Sequence, residues 1–465
     1  MPGFAGLRTD LNTWLLLAGV TACWVLSLRL VPGWKSEGWP SVLKSLYGFV
    51  WLGFGLDILL RFSMLAYNAV EWGNGTLRLI TQPVDTVNRT LVYCWLFWVL
   101  LSLGYAVAVR RRGVGPLSVI RQFNVDLAYA AVLPTTLLCS VLFYLTDRPK
   151  IIPLEFITPL ASLGYLYVVP ATIVWWAHFR QPSAKRRIGS VHILALLPAL
   201  VHGLGSPYRE NLAPILLIPL IAAIFAGERP ALRKLLPAVL VWFVVVSSLV
   251  SSYRLVKWEN ARTEEVENEI KGSSTWEKLA GTWGDRMKRF HSFDSMLLTV
   301  ELVPAARPHS GRDMLLRPFI RAFVPRFIFA DKGEADAGER FGAAIWAFDD
   351  RMARDHSGAA IAPSMPGDLY EAGGLLDIIF GALIWGALLG LVDGWKRHLP
   401  SFSAAAITVL VATHCAMSIE RDFDHSVAAF IQILLLLVIV AGVIALVRRP
   451  DTSYSFGFRP GLERS

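Results

Sequence analysis

The chain of 465 residues is 54% hydrophobic and only 17% charged, with a formal net charge of +9. A soluble protein of this size carries about a quarter charged residues, so the deficit excludes an ordinary soluble fold. Together with repeated apolar runs of about 20 residues it points to a polytopic membrane protein. The Lys and Arg excess sits in short clusters between those runs, where it signals topology rather than a nucleic-acid partner.

The first apolar run, Leu11 to Val31, has only Arg8 before it and no small-residue cleavage site after it, so it reads as a retained span. Ten more follow, which predicts an all-α polytopic bundle of about eleven spans. They lie at 12–31, 46–67, 90–109, 125–146, 152–178, 189–205, 211–226, 235–253, 372–393, 402–418 and 427–447. Cys23, Cys94, Cys139 and Cys415 fall inside these spans and no CxxC occurs, which speaks against a disulfide framework and a thiolate metal site.

Basic residues mark alternate connections: Lys35 and Lys44, Arg110 to Arg112 with Arg121, Arg180 with Lys185 to Arg187, Arg229 with Arg233 and Lys234, Lys396 and Arg397, and Arg448 and Arg449. One orientation places all of them in the cytoplasm, with the N-terminus outside and the C-terminus inside. Residues 1–253 then form the first eight spans of a transmembrane bundle. Residues 254–371 form a large extracytoplasmic insert with interfacial helices, 372–449 the last three spans, and 450–465 a cytoplasmic tail.

Ionisable residues within the spans follow the same bias. Arg61, Glu155, His202, Asp377 and His414 fall in outer halves, Asp57 near mid-depth, and His192 near an inner end. Charge inside a membrane is costly and usually faces a polar cavity, so this clustering predicts a chamber open to the outside. Asp57 and Arg61 stand four residues apart and are expected to pair.

The insert carries most of the remaining charge. MLLRPFIRAFVPRFIF, interrupted by Pro318 and Pro325, reads as short interfacial helices with Arg317, Arg321 and Arg326 at phosphate depth. No P-loop, GxGxxG, HExxH or GxSxG is present, which speaks against ATP-driven transport and zinc protease chemistry. Asp422-Phe-Asp424 is a lone DxD pattern on the outer side, where nucleotide sugars are not expected, and no metal site is assigned to it. No cofactor is expected.

What remains outside is a set of cations, Arg209, Arg326, Lys332, Arg340 and Arg421, with the carboxylates Glu210, Asp368, Glu371, Glu420 and Asp422. The rigid donor fork of Arg suits phosphate, so such a set at the membrane surface would hold the diphosphate of a lipid carrier without a metal. A carboxylate of suitable pKa would take a proton from a sugar hydroxyl.

These segments resemble the O-antigen polymerase family, the oligosaccharide repeat-unit polymerases of Wzy type. Pro325, Arg326, Asp331 and Lys332 match one motif of that family, and Gly367, Tyr370 and Gly373 a second, followed by Gly381, Gly386 and Gly390 in the next span. The chain departs from the pattern at Phe329-Ala330, at Gly333 and at Asp368, where Glu is usual. The segment SPYREN is similar to an earlier Arg-containing motif.

The resemblance implies a metal-independent membrane glycosyltransferase at the periplasmic face of a bacterial inner membrane. Its donor and acceptor would be glycans linked to undecaprenyl diphosphate, in contact with membrane lipids and a chain-length regulator protein. Arg209, Arg326, Lys332 and Arg421 would bind diphosphate, and Asp368, Glu371 and His356 would act as base or position the acceptor. Two alternatives stay open: an O-antigen ligase of the same superfamily and a flippase for lipid-linked sugar. A flippase should show an internal repeat, and none is visible in the sequence.

Overall fold

The computed structural model describes residues 10–62, 83–111, 115–117, 124–146, 163–205, 212–228, 292–311, 313, 315–323, 364–413 and 422–447. Their regular secondary structure is entirely helical, with no strand among the described residues. Among the described residues, five stretches are long and apolar enough to cross a membrane: Leu11–Leu30, Pro83–Ala108, Val125–Leu145, Leu375–Lys396 and Phe423–Val443. The helices used below are α1 (Leu11–Leu26), α2 (Leu46–Phe54), α3 (Pro83–Ala108), α4 (Val125–Thr146), α5 (Val168–Arg180), α6 (Leu197–Gly205) and α7 (Ala213–Phe225). They continue with α8 (Ser292–Leu302), α9 (Arg317–Phe323), α10 (Met365–Gly373), α11 (Leu375–Lys396), α12 (Ser401–Val411) and α13 (Phe423–Val447).

Several expected spans are shorter or broken. Within the run 46–67 the described residues are α-helical over Leu46–Phe54, π-helical over Gly55–Leu60 and helical again at Arg61 and Phe62. The run 189–205 splits into Ser190–Leu194 and α6. Among the described residues, then, five long helices and several shorter apolar ones stand where the hydropathy pattern alone suggests uniform crossings. The run 235–253 lies outside the described residues.

The bundle is built around α3 and α11, which run parallel in close contact. A Cβ on Gly104 would lie 2.3 Å from the Leu383 carbonyl oxygen, one on Gly386 2.0 Å from that of Leu101, and one on Gly390 2.7 Å from that of Tyr105. Gly386, Gly390 and Gly394 recur every four residues and so share one helix face. In lipid, where apolar surface alone gives little drive for association, backbone approach through small residues supplies the van der Waals packing.

Around this pair, α1 lies on α3, and α5 packs with α7 and α12, while α4 contacts α5 and α6. Trp24 and Trp51 stack at 4.0 Å, and each indole N–H donates to the other's carbonyl, at 2.9 and 2.8 Å. Outward faces are apolar too. Leu133 and Leu137 on α4 and Ile439 and Val443 on α13 are more than half exposed, which suits contact with lipid tails.

The described part of the insert is packed into the bundle. In α8, Phe293, Met296, Leu297 and Val300 are fully buried, and the helix contacts α3 and α10. Helix α10 in turn contacts α3, α11 and α13. Buried Asp, Glu, Lys and Arg side chains form two clusters, at opposite ends of the bundle. At one end, Asp393 and Lys396 meet Ser45, Tyr105 and Thr408. The other end carries the candidate site.

Candidate functional site

Helix α10 lies at the centre of this second end. Ser364 caps it, accepting at Oγ from the Gly367 N–H at 3.3 Å, with Pro366 in the first turn, where a missing N–H costs nothing. Four residues beyond the cap, the buried Asp368 reaches α13. Its Oδ2 accepts from the Phe423 N–H at 3.0 Å, while Asp422, the residue before α13, accepts at Oδ1 from the His425 N–H at 2.7 Å. Two carboxylates thus serve the exposed donors and positive dipole end of one helix.

The C-terminal end of α10 is closed by the segment 307–311. The N–H of Ser310 donates to the Glu371 carbonyl and that of Gly311 to the Ala372 carbonyl, both at 2.9 Å. His309 Nδ1 lies 2.9 Å from the Tyr370 carbonyl, and Arg307 Nη2 pairs with Glu371 Oε1. The Tyr370 carbonyl also accepts from the Gly374 N–H at 2.9 Å, so the strap supplies the donors for the Glu371 and Ala372 carbonyls and a second partner for that of Tyr370. Gly374 then turns the chain with φ +72, a left-handed value that glycine adopts without strain.

Further contacts tie this end to the bundle. Arg61 donates through Nε to Asp294 Oδ1 at 2.8 Å and pairs through Nη2 with Oδ2, joining the π-helical turn to α8. The Arg61 side chain is fully enclosed. Burial pushes the Asp294 carboxyl up and Arg61 draws it back. Thr86 Oγ1 donates to Glu301 at 2.5 Å, and Asn88 donates to Asp10 at 3.1 Å. Arg317 Nε lies 3.4 Å from Asp424 Oδ2, joining α9 to α13. Tyr93 stacks on Tyr370 at 4.8 Å. Burial, with the neighbouring Tyr93, pushes the Tyr370 phenol up to about 12, so it remains a neutral hydrogen-bond donor at physiological pH.

Of the residues singled out in the sequence, Asp368 and Glu371 come together on α10, beside Asp422 and Asp424 at the start of α13. His356, Arg209, Arg326, Lys332, Arg340 and Arg421 lie outside the described residues. So does the Asp57 side chain, and Arg61, expected to pair with it, bonds Asp294 across the bundle. Arg317 stands at the start of a short helix as expected, with Pro318 in its first turn rather than breaking it. Arg307, His309 and Asp313 were not singled out. Their signal is the run ARPHSGRD, which directly follows the apolar positions of α8.

Among the described residues, no group of three or more His, Cys, Asp and Glu side chains is arranged to hold a metal ion. Asp422 and Asp424 of the DxD pattern are occupied as a helix cap and as the partner of Arg317. The chain matches no known protein family, no curated protein and no solved structure.

Proposed function

We propose that this chain joins lipid-linked oligosaccharide repeat units into a surface polysaccharide, as a polymerase of the O-antigen type. The observation that supports this most is the gathering of three ion pairs at the end of the bundle that bears α10. The pairs Arg307–Glu371, Arg317–Asp424 and Arg61–Asp294 come from six separate segments and lie around α10 and the start of α13. Charge inside a membrane protein usually lines a polar cavity or substrate path, and here it is concentrated where the chain carries its resemblance to the polymerases.

In this reading the end bearing α10 faces the periplasm and the end bearing Asp393 faces the cytoplasm. The hydroxyl of the acceptor glycan attacks the anomeric carbon of the donor, and the carrier diphosphate leaves with the electron pair of the broken carbon–oxygen bond. Arg209, Arg326, Lys332, Arg340 and Arg421 stabilise the charge that grows on that diphosphate. Asp368 and Glu371 act as positioning residues, the first holding α13 and the second holding Arg307.

The test is the surface glycan ladder of a strain lacking the chain. Loss of the ladder with single repeat units retained is the expected result. Polymer accumulating on the carrier lipid, with none on the final acceptor, would instead mean a ligase. An unchanged ladder would refute both.

A further inference from the structure

His309 lies in the strap that closes α10, at the end of the bundle that carries the candidate site. Its Nδ1 lies 2.9 Å from the Tyr370 carbonyl oxygen, which can only accept, so Nδ1 carries the hydrogen. In the neutral ring the lone pair is then on Nε2. The ring is partly exposed, at the edge of the strap that closes α10.

Two consecutive glycines make room beside it. A Cβ on Gly373 would lie 2.6 Å from Asp377 Oδ2, and one on Gly374 would lie 3.3 Å from His309 Nε2. The carboxylate and the imidazole thus occupy neighbouring places over a floor without side chains. Asp377 also interacts electrostatically with both His309 and Asp313. The carboxylates on α10 are already engaged, Asp368 with the Phe423 N–H and Glu371 with Arg307.

We propose that His309 is the general base of the reaction, oriented by the Tyr370 carbonyl and with Asp377 beside it. The inference rests on the glycosyl-transfer reading above. Nε2 takes the proton of the acceptor hydroxyl as its oxygen bonds to the anomeric carbon, while the bond from that carbon to the carrier diphosphate breaks. The imidazolium then releases the proton to water, and no oxidant or other co-reactant is required.

A purely structural role would need only a donor to the Tyr370 carbonyl. Asn supplies one from Nδ2 close to the place of Nδ1, but it has no basic nitrogen. In a strain whose ladder is lost on deletion, His309→Asn at wild-type abundance should lower polymer formation by about 100-fold or more, the usual worth of a general base. A full ladder from His309→Asn overturns the base assignment and leaves the polymerase reading standing. A ladder that survives deletion of the chain overturns both. A second measurement does not depend on turnover. Diethyl pyrocarbonate at neutral pH should carbethoxylate His309 in the purified full chain, and a ring that stays unmodified would overturn an accessible Nε2.

Discussion

Asp393 and Lys396, one turn apart on α11, form an ion pair at 2.7 Å with only 3% and 6% of their surfaces exposed. Both charges have further partners. Asp393 accepts from Ser45 Oγ at 2.6 Å, from the Leu46 N–H at 3.0 Å and from Tyr105 Oη at 3.0 Å. Lys396 donates to Thr408 Oγ1 at 2.7 Å and to the Lys44 carbonyl at 3.1 Å. The carboxylate therefore caps the start of α2, while the ammonium ties α11 to α12. Removing one member leaves the other buried without its counter-ion, which typically costs about 3–5 kcal/mol. We expect Asp393→Asn combined with Lys396→Met to destabilise the purified protein less than the sum of the single changes. Thermal unfolding in detergent measures this, and strict additivity would show that the two charges do not depend on each other.

The contact between α3 and α11 makes a second prediction. Gly386→Ala places a methyl group 2.0 Å from the Leu101 carbonyl oxygen, so the helices must separate. Overpacking of this kind costs about 1–3 kcal/mol or more. Gly442 on α13 has nothing within 4 Å of the same position. There Ala should be neutral or stabilising by up to about 1 kcal/mol through helix propensity. Gly386→Ala should lower the unfolding temperature while Gly442→Ala leaves it unchanged or raises it, and equal shifts would contradict the close crossing.

Asp368 separates structure from chemistry. Asn retains an oxygen that accepts from the Phe423 N–H, whereas Ala removes it, at a cost of about 0.5–2 kcal/mol for a helix cap. We expect Asp368→Asn to keep both abundance and ladder, and Asp368→Ala to lower the amount of folded protein. A variant Asp368→Asn that accumulates normally but makes no ladder would give the carboxylate charge itself a chemical role.

What the sequence made legible follows from how local each signal is. The run 125–146 emerges as Val125–Thr146 because an unbroken apolar stretch of that length leaves little choice of end. The run 46–67 hides a change of helix type at Gly55, where a Cβ would lie 2.4 Å from the Trp24 ring, a tertiary contact that no window of sequence contains. The spacing of Asp57 and Arg61 suggests a local pair, and the Asp57 side chain lies outside the described residues; the bond from Arg61 to Asp294, 233 residues away in the chain, is one that spacing cannot show. Helix α8 was not legible as core, although Phe293, Met296, Leu297 and Val300 follow a helical period, because the surrounding segment is dominated by charge. Asp368 and Glu371 were visible as acids near a glycine-rich span, but their engagement with Phe423 and Arg307 depends on the fold.

The orientation of the bundle has its own test. Asp313 belongs to the end with α10, and Lys185 follows α5 at the end with Lys44 and Lys396; both are exposed. Asp313→Cys should react with a membrane-impermeant maleimide added to intact spheroplasts, and Lys185→Cys should react only after lysis. The reverse pattern would place the candidate site in the cytoplasm and remove the carrier diphosphate from its reach.

Reconstitution tests the central claim most directly. The purified full chain is placed in lipid vesicles with undecaprenyl-diphosphate-linked repeat units from its own host, in the presence of EDTA, and the products are resolved by length. Polymers of two and more repeat units, formed at the expense of the single unit and without added metal, are the predicted result. Repeat units that stay single in the presence of folded protein would contradict the assignment of this site to polysaccharide assembly. Elongation that appears only when magnesium is restored would instead return the Asp422–Asp424 pair to the chemistry.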